Sequence, residues 1–143
     1  EHHWHLINLV EKNKFGPIET SPNVFYMPRG TTLTLPDGRV VMFFGGADSI
    51  DKKARIVGLN WFPEEVIQHK DVENLPEVDV DVMITHTCPS EFYDEIKERG
   101  NPDSLGWTEI HKDPSRAALS LLLNIYKPKE WYISYIYIYL SCI

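Results

Sequence analysis

The chain has 143 residues with ordinary apolar and charged content, which suits one globular domain with a real core and excludes a disordered polymer. A net charge of −7 excludes a nucleic-acid partner held by a basic patch. Cys88 and Cys142 lie far apart without metal-type spacing, so free thiols in a cytoplasmic protein are expected. The uncharged stretch from residue 131 is too short for a membrane helix, so no membrane partner is expected.

Trp4, Leu6, Ile7, Leu9 and Val10 fall at roughly helical spacing and predict a short helix over residues 3–12. Gly16-Pro17 ends it. Residues 23–27 read as a strand. Residues 31–35 alternate Thr and Leu, Pro36-Asp37-Gly38 supplies turn chemistry, and residues 39–44 return as an apolar strand. That strand runs into Gly45-Gly46-Ala47-Asp48-Ser49. Pro63-Glu64-Glu65 opens a predicted helix to about Leu75.

Residues 78–84 form a further apolar strand that ends in Thr85-His86-Thr87-Cys88-Pro89. Residues 91–99 predict a short helix closed by Gly100, and residues 100–112 a polar loop. Asp113-Pro114 caps a helix that continues to about Tyr126. Lys127-Pro128 stops it, and residues 131–140 have strand composition. The order predicts an α/β or α+β layered domain. Its loops at residues 45–51 and 85–89 both leave the C-terminal ends of apolar strands, where ligands gather in open α/β sheets.

His86 is the sharpest candidate, because neutral imidazole is a standard ligand for zinc, iron or manganese. A loop histidine bonded to nearby backbone is the plainer alternative. Asp48, Asp51, Lys52, Lys53 and Arg55 could flank a metal–phosphate site or form a solvated turn. Arg55 could fork onto phosphate oxygens. Glu1, His2, His3 and His5 make a histidine-dense start suited either to metal capture or to a frayed terminus. Cys88 with His86 nearby admits a Cys–His nucleophile.

Three stretches together resemble calcineurin-like metallophosphoesterases of a bacterial and phage-type branch. They are Val80-Asp81-Val82-Met83-Ile84-Thr85-His86-Thr87-Cys88-Pro89, then Phe43-Phe44-Gly45-Gly46-Ala47-Asp48-Ser49-Ile50-Asp51-Lys52 with Arg55 and Asn60-Trp61-Phe62-Pro63-Glu64-Glu65, and Ser21-Pro22-Asn23-Val24-Phe25-Tyr26-Met27-Pro28-Arg29-Gly30. The resemblance implies a layered α/β/β/α sandwich, a divalent metal pair (Mn, Fe or Zn) at the strand ends, and a phosphate mono- or diester substrate. It assigns metal ligation to His86 and substrate binding to Asp48 and Arg55.

The family's Asp-x-His and Gly-Asp blocks have no counterpart here, and Glu1 matches only the last member of a Gly-Asn-His-Glu block. Tyr135 and Tyr137 stand where the resemblance places the two histidines of the last block, and a neutral phenol is a poor metal ligand. The expectation is therefore a single partial metallophosphoesterase domain over residues 1–143, without retained metals and inactive in isolation. The alternative is a non-catalytic scaffold or interaction module. A sheet lacking its cover would favour self-association.

Overall fold

The computed structural model describes residue 10 and residues 16–49, 51–73, 75–92, 113–133 and 138–141. The predicted helices over residues 3–12 and 91–99, and the loop 100–112, lie almost wholly outside these residues. The exceptions are helical Val10 and a 3-10 turn at Ser90–Phe92.

The chain begins its described course with a hairpin, β1 (Ile18–Ser21) against β2 (Val24–Tyr26). Asn23 turns it with φ 62°, a left-handed conformation that Asn tolerates. The strand expected at residues 23–27 is thus the returning arm of a hairpin whose first arm the sequence reading passed over.

The second hairpin follows its prediction closely. β3 (Thr31–Thr34) pairs antiparallel with β4 (Val40–Phe44). β4 pairs in parallel with β5 (Val82–Thr85), and β5 in parallel with β6 (Glu130–Ile133). β7 (Ile138–Ser141) closes the order antiparallel to β6. The result is a five-stranded mixed sheet in the order β3-β4-β5-β6-β7, which places the chain in the α/β class.

β5 is shorter than the strand expected over residues 78–84. Asp81 replaces ladder bonds at its start: its carboxylate accepts the Val40 amide at 2.9 Å and the Lys129 ammonium at 2.7 Å. Its carbonyl accepts the amides of Lys129 and Glu130. Asp81 therefore gathers the beginnings of three strands with its carboxylate and its carbonyl together. The predicted strand over residues 131–140 is two strands, with Ile133 opposite Ile138.

The predicted helix from Pro63 to Leu75 does not form. Two 3-10 turns, Pro63–Glu65 and His69–Asp71, stand there with extended backbone at Val66 and Gln68 between them. Tertiary bonds outcompete the helical ladder. Arg29 takes the carbonyls of Glu64 and Glu65, the Ile67 amide donates to Ser115 Oγ at 3.1 Å, and the Gln68 amide donates to Asp71. Ile67 is thereby drawn into the core.

α1 (Ser115–Tyr126) matches its prediction. Asp113 Oδ1 accepts the Ser115 amide at 2.9 Å, the capping role its position implied. Lys127 ends the helix in the left-handed conformation, φ 46°. Leu119 and Leu122 seat α1 on one face of the sheet, against Met42, Phe44, Met83, Trp131 and Ile133. Each such apolar side chain contributes roughly 1.5–3 kcal/mol by leaving water. The opposite face carries Leu33, Phe43, Ile84 and Tyr132 around a shallow groove of about 260 Å³. Leu33 and Tyr132 remain exposed there.

Candidate functional site

Phe44 and Thr85 are register partners at the C-terminal ends of β4 and β5. The loop carrying Asp48 and the turn carrying His86 consequently leave the sheet side by side. Gly46 makes the first loop possible. It holds φ +126°, and a Cβ there would meet Arg29 Nη2 at 2.6 Å, the Glu65 carbonyl at 2.9 Å and Ile67 Cγ1 at 2.9 Å. The Ala47 amide then bonds the Glu65 carbonyl at 3.0 Å.

Asp48 Oδ2 pairs with Lys52, while its Oδ1 is buried without a hydrogen-bond partner. Glu65 accepts the Ser49 hydroxyl at 2.9 Å on one oxygen and the Phe62 amide at 3.0 Å on the other.

The His86 turn is set from beneath. Trp131 Nε1 donates to Thr85 Oγ1 at 2.8 Å, and that hydroxyl donates to the Thr87 carbonyl at 2.6 Å. His86 is exposed between the buried Thr85 and Thr87. Packing around the ring lowers its pKa, although the nearby Asp113 and Glu65 carboxylates pull the other way. Desolvation thus favours the neutral form of the ring.

Asp113 stands on the far side of the site, and its burial raises its pKa. The amides of Ser115 and Asp48 oppose that rise by bonding the carboxylate. The start of α1 thus braces both loops. Arg116, itself buried, donates to the carbonyls of Cys88, Pro89 and Ser90 at 3.2–3.3 Å. Ser120 Oγ accepts the Ser90 amide at 3.0 Å.

The loops carrying His86 and Asp48 leave adjacent strand ends, whereas Arg55 is occupied elsewhere. Its Nε pairs with Asp51 at 2.8 Å and its Nη1 bonds the Asn60 carbonyl at 3.1 Å. The structure gives no Cys–His nucleophile. Cys88 is 4% exposed, its thiol lies in the apolar core, and burial raises its pKa. Glu1, His2, His3, His5, Tyr135 and Tyr137 lie outside the described residues.

Sequence reading missed Glu65 and saw in Asp113 only a helix cap. The signal for both was weak, because each reaches the site across more than fifteen residues of chain from its neighbours there. The donor types around His86 are those a hard or borderline metal uses. Their arrangement does not fit a dinuclear centre: among the described residues, no group of three or more His, Cys, Asp or Glu side chains could hold a metal ion. Comparison with protein-family models, curated proteins and solved structures found no match.

Proposed function

We propose that this chain is part of a calcineurin-like phosphoesterase and furnishes one edge of its phosphate-ester site, without being a hydrolase by itself. The observation that carries the reading is the pairing of adjacent parallel strand ends. It puts the exposed His86 beside the Asp48 loop, with two carboxylates, Asp113 and Glu65, close enough to act on the ring. In this reading His86 is a metal ligand and Asp48 faces the substrate. The metals would polarise the phosphoryl group and activate water. Because the described donors do not fit that pair of ions, no hydrolytic step is assigned to these residues alone. The open face bearing Leu33 and Tyr132 is where the second sheet of a layered sandwich would pack.

The second reading is a non-catalytic interaction module. It is favoured by internal partners on the carboxylates: Lys52 on one oxygen of Asp48, Ser49 and Phe62 on Glu65, Ser115 on Asp113.

Hydrolysis of an aryl phosphate with added manganese separates the two. The 143-residue chain is expected to give no turnover. The longest reading frame that contains it is expected to give metal-dependent turnover that His86→Ala abolishes. Turnover by the short chain, lost in His86→Ala, would overturn its assigned inactivity. An inactive long form would overturn the phosphoesterase reading and leave the interaction module.

A further inference from the structure

The Asp48 loop runs into a 3-10 turn, Lys52–Ala54. Backbone bonds close that turn: the Lys52 amide donates to the Ser49 carbonyl at 3.1 Å, and the Arg55 amide to the Lys52 carbonyl at 3.1 Å. The Lys52 ammonium reaches back four residues to pair with Asp48 Oδ2. Asp48 is tied in turn to the start of α1, because its amide bonds the Asp113 carboxylate. Asp113 and Glu65 are the carboxylates that act on the His86 ring, and Glu65 also holds the Ser49 hydroxyl. The ammonium thus sits on a braced, carboxylate-lined edge. The Lys52 side chain is 43% exposed and that of Asp48 17%, so the carboxylate lies behind and the ammonium in front.

Three carboxylates, Asp48, Glu65 and Asp113, would repel an anionic ester here unless a cation met it. The described donors do not fit a pair of metal ions, and the guanidinium groups nearby are committed. Arg29 bonds Asp71 and the carbonyls of Gly45, Glu64 and Glu65. Arg116 is buried under the carbonyls of Cys88, Pro89 and Ser90, and Arg55 holds Asp51 and the Asn60 carbonyl. Lys52 is not used up in the same way. An ammonium carries three N–H donors. Asp48 takes one of them, and among the described residues nothing else is bonded to this exposed head.

We propose that Lys52, in place of Arg55, grips the phosphoryl oxygens of the ester, with Asp48 as the positioning residue that holds its ammonium at the edge. This rests on the phosphoesterase reading and deepens it. An ionised Asp48 has no proton to donate to a phosphate oxygen. Through Lys52 it gains a part in binding a substrate of its own charge sign. The Lys52–Asp48 pair then prepares a phosphate contact instead of merely neutralising a surface acid.

Binding and turnover of phenyl phosphate, with added manganese, by the longest reading frame that contains the chain test it. Lys52→Met is expected to raise the dissociation constant and KM about ten-fold, the loss of one charge-assisted contact, with kcat nearly unchanged. Lys52→Arg is expected to recover most of the affinity. Lys53→Met is expected to change neither constant, because a 3-10 turn sets successive side chains about 120° apart. Both lysines are exposed, so neither change touches the core. Asp48→Asn removes a like charge and would tighten binding if Asp48 were a bystander. It is expected to weaken binding by releasing the ammonium. A Lys52→Met protein with the parent's KM, a Lys53→Met protein equally impaired, or tighter binding by Asp48→Asn would each overturn the proposal. Turnover by the parent that still depends on His86 would leave the phosphoesterase reading standing in those cases. A long form that neither binds nor hydrolyses the ester would overturn both.

Discussion

Arg29 Nη1 donates to Asp71 Oδ2 at 2.6 Å, joining the turn before β3 to the second 3-10 turn across 42 residues. The same guanidinium bonds the Gly45 carbonyl through Nε and the Glu64 and Glu65 carbonyls through Nη2. Arg29 thus holds the Asp48 loop and the segment bearing Glu65 against each other. Arg29→Ala strands several acceptors and a partly buried carboxylate. It is expected to lower the unfolding free energy by about 2–4 kcal/mol. Arg29→Lys should recover little, because one ammonium cannot span carbonyls in different directions. Urea unfolding midpoints of the three proteins check this; a lysine variant as stable as the parent would refute the fork.

His86 makes stability depend on pH in a defined direction. Burial lowers its folded-state pKa below the ordinary 6.5, so below that value the unfolded chain binds the proton first. Stability present above pH 6.5 is therefore lost as pH falls toward the folded-state pKa. Asp113 acts in the opposite sense: its raised pKa contributes stability below the ordinary 3.8 that is lost as pH rises through the folded-state value. Thermal unfolding from pH 8 to pH 5 should show a steeper decline in the parent than in His86→Asn. Equal slopes would show that the ring is not desolvated by its surroundings.

Cys88 should behave as a core residue. Its 4% exposure and raised pKa predict slow reaction with a disulfide reagent in the native state. In a Cys142→Ser background, labelling of Cys88 is expected only under conditions that unfold the chain. Rapid stoichiometric labelling of native protein would place the thiol at the surface and reopen a reactive role.

The hairpin β3–β4, the cap at Asp113 and the extent of α1 were legible because each is decided locally. Alternating side chains, Pro-Asp-Gly and Asp-Pro carry their own geometry. The failed helix over residues 63–75 was not legible. Its first turn has the right proline and acids, but its continuation is overruled by Arg29 and Ser115, which arrive from 34 residues before and 52 residues after Pro63 in the chain. The site divides the same way. His86 and Asp48 announce themselves at strand ends, whereas Glu65 and Asp113 reach the ring only through the folded path of other segments. Arg55 looked available in sequence, but its commitment to Asp51 and Asn60 is a tertiary fact.

Thr85 tests whether the His86 turn is held from the core. Its hydroxyl is the acceptor for Trp131 Nε1 and the donor to the Thr87 carbonyl, and Trp131 is wholly buried with Phe92 edge-on at 5.6 Å. Thr85→Val preserves the volume but leaves an indole N–H and a carbonyl without their partner. The expected cost is about 1–3 kcal/mol, with a shift in Trp131 fluorescence. Thr85→Ser keeps the hydroxyl and should restore the fluorescence while losing only the methyl packing, on the order of 1 kcal/mol. The turn should respond as well. In Thr85→Val the His86 ring, freed from its fixed setting, is expected to titrate closer to an ordinary imidazole, and nuclear magnetic resonance of its Cε1 proton would read the change. An unaltered His86 titration in a folded Thr85→Val protein would mean that the turn is positioned by Arg116 and α1 alone.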